Sequence, residues 1–252
     1  MGIFLLIFLG ALQGLCEFLP ISSSGHIVLF SKIFGIEETL FVSIVLHMAT
    51  LLSIVIVFWH DVKYLICHPF SEQAMKIYVA TLPTCLIVLV LMPVVNSSFS
   101  GNGLFVCFLL SALLLMLADH FVKKKKEENF SFKHAFIMGV AQGFAVFPGL
   151  SRSGTTIAIG LINNAKRQDC AKFSFLMSLP VILLSMVLEI FKICFYGEKI
   201  DVNWVGLGLS FIFAFIIGIL SIKAMISLTQ KVNFKWFALY LILVSIICII
   251  IL

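Results

Sequence analysis

The segment QGLCEFLPISSSGH, from Gln13 to His26, is the most informative part of the chain because it places polar side chains inside hydrophobic sequence. It contains the carboxylate of Glu17, three successive serines, two glycines, a proline and a histidine, with apolar runs on both sides. Burying an ionised carboxylate in hydrocarbon costs roughly 2.5 to 3.5 kcal/mol or more, so an acidic residue at membrane depth marks a candidate functional site. A second segment, QGFAVFPGLSRSGTT from Gln142 to Thr156, repeats the pattern.

The composition is that of an integral membrane protein. Of the 252 residues, 62% are hydrophobic and only 12% are charged, which is far from the balance of a soluble domain. The net charge of +5 comes largely from lysines in loops, so it indicates membrane topology, and we expect no nucleic-acid partner. The seven cysteines are scattered singly, without the spacing of a metal site, and are interpreted as small buried side chains.

The first segment divides its surroundings into two short apolar pieces, 3–16 and 27–36. Each is shorter than the roughly 20 residues that span a bilayer. Two half-helices around a polar break predict a re-entrant hairpin, whose irregular backbone is tolerated only inside protein or beside a watery cavity. A single kinked spanning helix is the alternative.

Three apolar spans follow the first hairpin, at about 40–59, 77–95 and 103–121. Pro83 predicts a kink in the second of them. His47 lies within the first, where a histidine is more often a hydrogen-bonded interior residue than a catalyst. A charged loop from Asp119 to His134 then separates the two halves of the chain.

The order of elements starts again after this loop, with a break at PGLSRSG and spans near 173–191, 204–222 and 234–252. Superposing Gly10 on Gly139 aligns 17 residue pairs without a gap, and seven are identical where unrelated sequences would give about one. This indicates an internal duplication within a single membrane domain, 1–252. Repeat one covers about 1–121, the cytoplasmic linker about 122–133 and repeat two about 134–252. The identical pairs are Gly10/Gly139, Gln13/Gln142, Gly14/Gly143, Phe18/Phe147, Ser22/Ser151, Ser24/Ser153 and Gly25/Gly154.

The fold class expected is an all-α integral membrane protein with an inverted-topology repeat. Each half has one re-entrant hairpin and three spans, and three is odd, so the second copy enters the membrane upside down. Lysine and arginine counts give an independent check, because cytoplasmic loops carry more of them. The side without the N-terminus is therefore the cytoplasmic one, both termini face outward, and the cavity of the hairpins opens to the outer side. That cytoplasmic side receives Lys63, Lys76, Lys123, Lys124, Lys125, Lys126, Lys133, Lys166, Arg167, Lys172, Lys223, Lys231 and Lys235, against Lys32, Lys192 and Lys199 on the other.

The first hairpin carries groups suited to reaction chemistry. Gln13 and Glu17 are four residues apart, so on a helix they share one face and can point together into a cavity. Ser22, Ser23, Ser24 and His26 fall at the start of the second half-helix, where free backbone N–H groups form an anion site.

The second hairpin carries the matching break, with Ser151, Arg152, Ser153, Thr155 and Thr156. Arg152 is the one Lys or Arg that this arrangement places deep in the membrane, and its planar guanidinium suits a phosphate. The combined set suits phosphoryl transfer, in which positioning and charge neutralisation do most of the work. Parts of it also suit anion transport, and serines and glycines in membrane helices are often packing residues.

QGLCEFLPISSSGH and PGLSRSGTT resemble the two signature motifs of the undecaprenyl pyrophosphate phosphatase family, also called the bacitracin-resistance family. The resemblance covers almost the whole chain, including the spacing between the motifs and FSFLMSLP after the second. It implies a bacterial cytoplasmic (inner) membrane enzyme that hydrolyses undecaprenyl pyrophosphate to undecaprenyl phosphate, recycles the cell-wall lipid carrier and confers bacitracin resistance. The partners are then the bilayer and a long-chain polyprenyl pyrophosphate. A homodimer is compatible with the sequence, which leaves the oligomeric state open.

The resemblance also implies roles for individual residues. Ser23 is the candidate nucleophile, His26 the general acid and base, and Glu17 orients His26 or holds a divalent metal. Arg152 completes the catalytic set, and the substrate-binding set is Gln13, Ser22, Ser24, Gly25, Ser151, Ser153, Gly154 and Thr156. A competing assignment makes His26 the nucleophile.

The resemblance further implies a divalent cation, Mg²⁺ or Ca²⁺, that neutralises the pyrophosphate. The family's first motif has Glu or Gln followed four residues later by Glu. Having Gln13 at the first of these places weakens the case for a two-carboxylate metal site, so we expect the metal to arrive partly on the substrate.

One other enzyme family and one class of transporter share parts of this pattern. SSSGH resembles an element of the type 2 phosphatidic acid phosphatases, but the His and Asp that should follow Ser151-Arg152 are replaced by Ala158 and Ile162. A transporter or flippase of a lipid phosphate or other anionic substrate is the alternative from a different class, because inverted repeats with broken helices are typical of transporters. The trio Glu17, Ser23 and His26 favours the enzyme, since a carrier needs no nucleophile with a base.

Overall fold

The computed structural model describes residues 2–35, 40–101, 103–122, 127–196, 202–231 and 234–252. Across these residues the secondary structure is helical, apart from one isolated bridge between Glu128 and Ala165. The helices are α1 Ile3–Cys16, α2 Ser23–Phe34, α3 Leu40–Val57, α4 Trp59–Cys67, α5 Glu72–Ser98, α6 Leu104–Val122, α7 Phe132–Phe144, α8 Arg152–Ile162, α9 Arg167–Tyr196, α10 Trp204–Lys231 and α11 Lys235–Ile251.

The helices confirm an all-α, multi-pass integral membrane protein. Four of them, α5, α6, α9 and α10, are long and apolar enough to cross a bilayer, and α3 with α4 forms a fifth candidate span that bends by 88°. The span predicted at 234–252 is the shorter α11, whose 17 residues extend about 25 Å at about 1.5 Å per residue. Much of the outer surface of these helices is apolar, as a lipid-facing surface must be.

Several helices differ from the predicted bounds. Helix α9 begins at Arg167 rather than near 173, and α10 continues to Lys231 rather than ending near 222. Charged turns can remain helical outside the hydrocarbon because water solvates their side chains, so apolar length underestimates the helix. Helix α5 runs through Pro83 and Pro93 without ending.

Two pairs of short helices form the predicted hairpins, α1 with α2 and α7 with α8. The second half-helix of the first hairpin starts at Ser23 rather than at 27, so Ser23, Ser24 and Gly25 lie in its first turn and only Ser22 stays outside the helix. The hydroxyl of Ser22 explains this early start, because it accepts a hydrogen bond from the backbone N–H of Gly25 and so caps the helix.

Each hairpin's first helix packs on a long helix from the other half of the chain: α1 on α10, and α7 on α5. Close approach makes this packing possible. A Cβ atom at Gly10 would collide with the backbone of Ser210, and one at Gly139 would collide with the backbone of Ala80. Helices α6 and α11 also pack together, as do α3 and α9. The tips of the two hairpins therefore lie inside the helix bundle, where side chains from both halves can meet.

Candidate active site

The N-termini of α2 and α8 are built in the same way. Ser22 caps α2 by accepting from the N–H of Gly25 at 3.3 Å, and Ser151 caps α8 by accepting from the N–H of Gly154 at 3.1 Å. Each cap satisfies one of the free N–H groups that begin a helix and leaves the others available. The first turns of both helices carry side chains that line one cavity, Ser23 and Ser24 from α2 and Arg152 from α8.

The two hairpins touch each other directly at these caps. The N–H of Gly149 donates to Ser22 Oγ across the contact at 3.1 Å, and Ser153 Oγ donates to the carbonyl oxygen of Leu19, also at 3.1 Å. A Cβ atom at Gly25 would lie 2.6 Å from Gly149 Cα, so glycine is required there. Small residues and cross-hairpin hydrogen bonds therefore fix the position of one tip relative to the other.

Glu17 is at the centre of the site and is 8% exposed. Its Oε2 accepts hydrogen bonds from Ser23 Oγ at 2.6 Å and from Gln13 Nε2 at 3.1 Å. Its Oε1 pairs with the guanidinium Nη2 of Arg152, which comes from the other hairpin. Removing one partner of such a buried ion pair is expected to cost about 3 to 5 kcal/mol, because the remaining charge is left uncompensated.

Several buried polar atoms at the site have no hydrogen-bond partner among the described residues. They include Arg152 Nη1, Gln13 Oε1 and Gln142 Oε1. A buried polar group without a partner costs about 1 to 3 kcal/mol, so folded proteins rarely leave several together. Two carbonyl oxygens and a guanidinium nitrogen in this state can bind an incoming polar ligand.

A cavity of about 230 Å³ adjoins these groups and is lined by both polar and apolar side chains. Its polar side chains come mostly from the two hairpins, and its apolar wall comes from α5, α9 and the second hairpin. A phosphate-sized group can contact the polar side chains while hydrocarbon contacts the apolar ones. The polar residues are Cys16, Glu17, Ser22, Ser23, Ser24, His47, Thr84, Gln142, Ser151, Arg152 and Ser185, and the apolar residues are Val88, Ala145, Val146, Leu150, Val181 and Ile182.

His26 lies apart from this cavity and is 2% exposed. Its Nδ1 is 2.8 Å from the carbonyl oxygen of Ser22, which can only accept, so Nδ1 carries the hydrogen. Its Nε2 is 2.7 Å from the hydroxyl of Tyr240, whose ring is parallel to the imidazole. Glu17 therefore does not orient His26 in this conformation, and both imidazole nitrogens already have partners. The acid and base role of His26 stays a prediction.

Some predicted substrate-binding residues lie in the framework rather than in the cavity wall. Thr156 is fully buried, and its hydroxyl is bonded to the carbonyl oxygen of Arg152 at 2.8 Å and to Ser174 Oγ at 2.6 Å. Gly25 and Gly154 lie in the contact between hairpins, where Gly154 packs on Pro20. Ser153 holds the Leu19 carbonyl as described above. Gln13 contributes to the site by donating a hydrogen bond to Glu17. Whether any of them contacts substrate remains a prediction.

Three site residues could not be recognised from sequence spacing. His47 in α3 lines the cavity, Tyr240 in α11 binds His26, and Ser111 in α6 binds the second hairpin, accepting from the N–H of Ser151 at 2.9 Å. Each comes from a helix outside the two motifs. Their polar character inside apolar spans is the only local signal, and it does not say which neighbour they meet.

The side chains present do not form a metal cage. Among the described residues, no group of three His, Cys, Asp or Glu side chains is placed to hold an ion. Glu17, the predicted ligand, has both carboxylate oxygens engaged by Ser23, Gln13 and Arg152. Mg²⁺ and Ca²⁺ need several oxygen ligands, so a protein-held ion does not fit the residues at this site.

Comparison with known proteins identifies the family. Residues 6–247 match the sequence profile of the family described as "Bacitracin resistance protein BacA". The chain is 38% identical over 256 residues to a protein named undecaprenyl-diphosphatase from Bacteroides fragilis, with 96% of each chain covered. It is also 38% identical to the protein of that name from Parabacteroides distasonis, covering 92% of this chain and 91% of the other. A third, from Methanosphaera stadtmanae, is 36% identical, covering 97% and 96%. The chain therefore belongs to the bacitracin resistance protein family.

Proposed function

We propose that this protein is an undecaprenyl pyrophosphate phosphatase, which hydrolyses undecaprenyl pyrophosphate to undecaprenyl phosphate and inorganic phosphate. The observation that carries the proposal is the meeting of Ser23, Glu17 and Arg152 at one cavity. The hydroxyl, the carboxylate base and the guanidinium cation of these three residues suit a diphosphate, and the apolar side chains of the cavity suit a lipid. The names of the family's curated members agree with this activity, and no observation favours a transporter.

Ser23 is the nucleophile in the proposed reaction. Its hydroxyl already donates to Glu17 Oε2 at 2.6 Å, so the carboxylate is placed to accept the proton as Ser23 Oγ attacks the terminal phosphorus. The new bond joins Ser23 Oγ to phosphorus, and the bond from phosphorus to the bridging oxygen breaks. Undecaprenyl phosphate leaves with that oxygen. The ring nitrogens of His26 contact the Ser22 carbonyl and the Tyr240 hydroxyl in this conformation, so the attack by Ser23 is written without the predicted acid and base role of His26.

Arg152 binds the diphosphate in this proposal. Its Nη2 pairs with Glu17 while its Nη1 is without a partner among the described residues, so Nη1 can donate to a phosphate oxygen. The Ser24 hydroxyl and the backbone N–H groups that begin α2 and α8 are further hydrogen-bond donors to the phosphate, and they carry no net charge. Such fixed donors stabilise charge that develops on the transferred phosphoryl group.

A divalent cation, Mg²⁺ or Ca²⁺, belongs to the substrate complex in this proposal rather than to a protein cage. The absence of a three-ligand cluster among the described side chains supports this. When bound with the substrate, such an ion would reduce the negative charge of the diphosphate that faces Glu17. In the proposed reaction, side chains of the protein carry out the proton transfers.

The architecture proposed is an inverted-topology repeat, with α1–α6 and α7–α11 as its two copies. The reciprocal packing of α1 on α10 and of α7 on α5 supports it, because corresponding helices exchange partners as a two-fold relation requires. Corresponding glycines mediate both contacts, Gly10 on Ser210 and Gly139 on Ala80.

The cavity is proposed to open to the outer side, with both termini on that side. Most of its residues from the spanning helices support this, because His47, Val88, Ile182 and Ser185 lie in the half of their helix nearer to the end assigned outside, whereas Thr84 and Val181 lie just beyond the midpoint. The excess of lysines at the opposite helix ends gives the orientation.

The activity is tested by measuring phosphate release from undecaprenyl pyrophosphate by the purified protein in detergent. Arg152→Ala and Glu17→Ala are expected to abolish release while the protein still elutes as a folded species. Arg167→Ala, which removes an ion pair with Glu127 far from the hairpin tips, is the matched control and should keep wild-type release. Wild-type turnover in both site variants would show that the site is assigned wrongly.

The orientation is tested by thiol labelling of intact cells. A cysteine introduced at the half-buried Ser24, in a background without the seven native cysteines, should react with a membrane-impermeant reagent added outside. Labelling only after the reagent reaches the cytoplasm would reverse the proposed orientation.

A further inference from the structure

His47 is a histidine in the active-site cavity that the reaction as described above does not use. It lies in α3, and its side chain lines the same 230 Å³ cavity as Glu17, Ser23 and Arg152. It is partly exposed to that cavity, whereas His26 is buried outside it. The placement of the two histidines is therefore the reverse of what the motifs suggest.

The backbone fixes the orientation of the His47 ring. Its Nδ1 is 2.9 Å from the carbonyl oxygen of Ser43, one helical turn earlier, and 3.3 Å from the Ser43 hydroxyl, which can also accept. A carbonyl can only accept, so Nδ1 carries the hydrogen and Nε2 of the neutral ring has a free lone pair. No described residue forms a hydrogen bond or ion pair with Nε2. A ring held at one nitrogen and open at the other is the arrangement that a general base requires.

His47 and Glu17 line the same cavity, and no ion pair joins these two described residues. The Glu17 carboxylate is paired with Arg152 and accepts from Ser23 and Gln13, so it does not occupy the imidazole Nε2. The cavity beside the two side chains can hold a ligand. A water molecule needs about 30 Å³ of liquid volume, which is small beside the cavity.

We propose that His47 is the general base that activates water to release phosphate from Ser23, a step that rests on the function proposed above. After undecaprenyl phosphate leaves, the terminal phosphoryl group is bonded to Ser23 Oγ. Water oxygen forms a bond to phosphorus as His47 Nε2 takes a water proton. The bond between phosphorus and Ser23 Oγ breaks, and Ser23 regains its proton from Glu17. The His47 proton passes to the inorganic phosphate as it departs.

This assignment gives the two half-reactions separate bases. Glu17 is bonded to Ser23 and serves the attack, while His47 is open to the cavity and serves the hydrolysis. Both histidine nitrogens are then accounted for: Nδ1 by the Ser43 carbonyl and Nε2 by water.

The test is a rapid-quench experiment with undecaprenyl pyrophosphate labelled with ³²P in the terminal phosphate. His47→Asn keeps a donor near the position of Nδ1, and His47→Gln keeps one near Nε2, but neither can act as a base. Both are expected to release undecaprenyl phosphate in a burst and then accumulate labelled protein, because hydrolysis slows by about 100-fold. His68→Gln, at an exposed histidine after α4, is the matched control and should behave as wild type.

A wild-type rate of phosphate release in the variants, or equal loss of both half-reactions without labelled protein, would overturn the inference. The proposed function fails separately, if the wild-type protein releases no phosphate at all.

Discussion

The two hairpins have the same backbone plan but present different side chains to the cavity. When Gly10 is superposed on Gly139, Glu17 corresponds to Val146 and Ser23 corresponds to Arg152. The first hairpin therefore supplies the carboxylate and the hydroxyl, and the second supplies the cation. The ion pair between Glu17 and Arg152 joins the two sets.

This difference shows how a duplicated segment can build a site that neither copy contains. Each half alone would bury an uncompensated charge inside the membrane, which is costly. The charges become tolerable only when the hairpins meet, so the arrangement that satisfies the fold also assembles the reactive groups. Three comparisons between equivalent positions test this view.

The largest effect is expected at the position where the hairpins differ most. Glu17→Gln keeps the shape of the side chain but removes the base for Ser23 and the counter-charge for Arg152. Phosphate release should fall roughly 1,000-fold, within the usual range for loss of a general base. Val146→Ala, the equivalent position in the second hairpin, should retain most of the activity.

Both variants are compared by initial rates of phosphate release at saturating substrate, after checking that each elutes as a folded species. Glu17→Asp provides a further variant that keeps the charge. Similar losses for Glu17→Gln and Val146→Ala would mean that the hairpins are not specialised as described.

The second comparison concerns the contact between the hairpins. A Cβ atom at Gly25 would meet the backbone of Gly149 at 2.6 Å, whereas one at Gly154 would meet the side chain of Pro20 at 3.0 Å. Gly25→Ala should therefore destabilise the protein by about 1 to 3 kcal/mol or more, and Gly154→Ala by less. The measurement is the fraction of protein that stays monodisperse after heating in detergent.

The control for this comparison is Gly208→Ala in α10, where a Cβ atom meets nothing within 4 Å. It should be at least as stable as the wild type, because alanine favours a helix more than glycine does. A Gly154 variant that is less stable than the Gly25 variant would contradict the observed contact.

The smallest effects are expected where α6 and α11 support the hairpins. Ser111→Ala leaves the buried N–H of Ser151 and the carbonyl oxygen of Gly149 without a partner, and should cost about 1 to 2 kcal/mol. Tyr240→Phe removes one hydrogen bond to His26 and should cost about 1 kcal/mol or less.

The same heating assay ranks these two variants, and phosphate release measures their effect on the site. Activity in Tyr240→Phe should change only slightly, because His26 lies outside the cavity wall. A large loss of activity without loss of stability in that variant would return His26 to the reaction.

Much of the membrane architecture follows from local sequence. Long apolar stretches predict α5, α6, α9 and α10 because a spanning helix needs length and apolar side chains, whatever it packs against. The hairpins follow from short apolar runs beside Pro20, Gly149 and clustered serines, which are recognisable without knowing their neighbours. Helix ends were less predictable, since capping by Ser22 moved the start of α2 four residues earlier than apolar content suggests.

Which residues of the site contact each other is harder to predict from the sequence. Glu17 and Arg152 are 135 residues apart in the chain, and only the duplication indicated that they meet. The pairing expected between Glu17 and His26, nine residues apart, is replaced by bonds from Glu17 to Ser23 and Arg152. Nearness in sequence was a poor guide, because the turn between α1 and α2 directs the His26 ring toward Tyr240 instead.

Composition and periodicity are enough to show that the protein lies in a membrane, that it is helical and duplicated, and which residue types are available for chemistry, because local sequence expresses these properties. Which histidine faces the cavity, which residue accepts from Ser23, and which polar atoms lack a partner among the described residues follow only from the packing in three dimensions. These depend on the angle at which one packed helix meets another. That angle is set by contacts such as Gly10 with Ser210 and Gly25 with Gly149, between residues far apart in the chain.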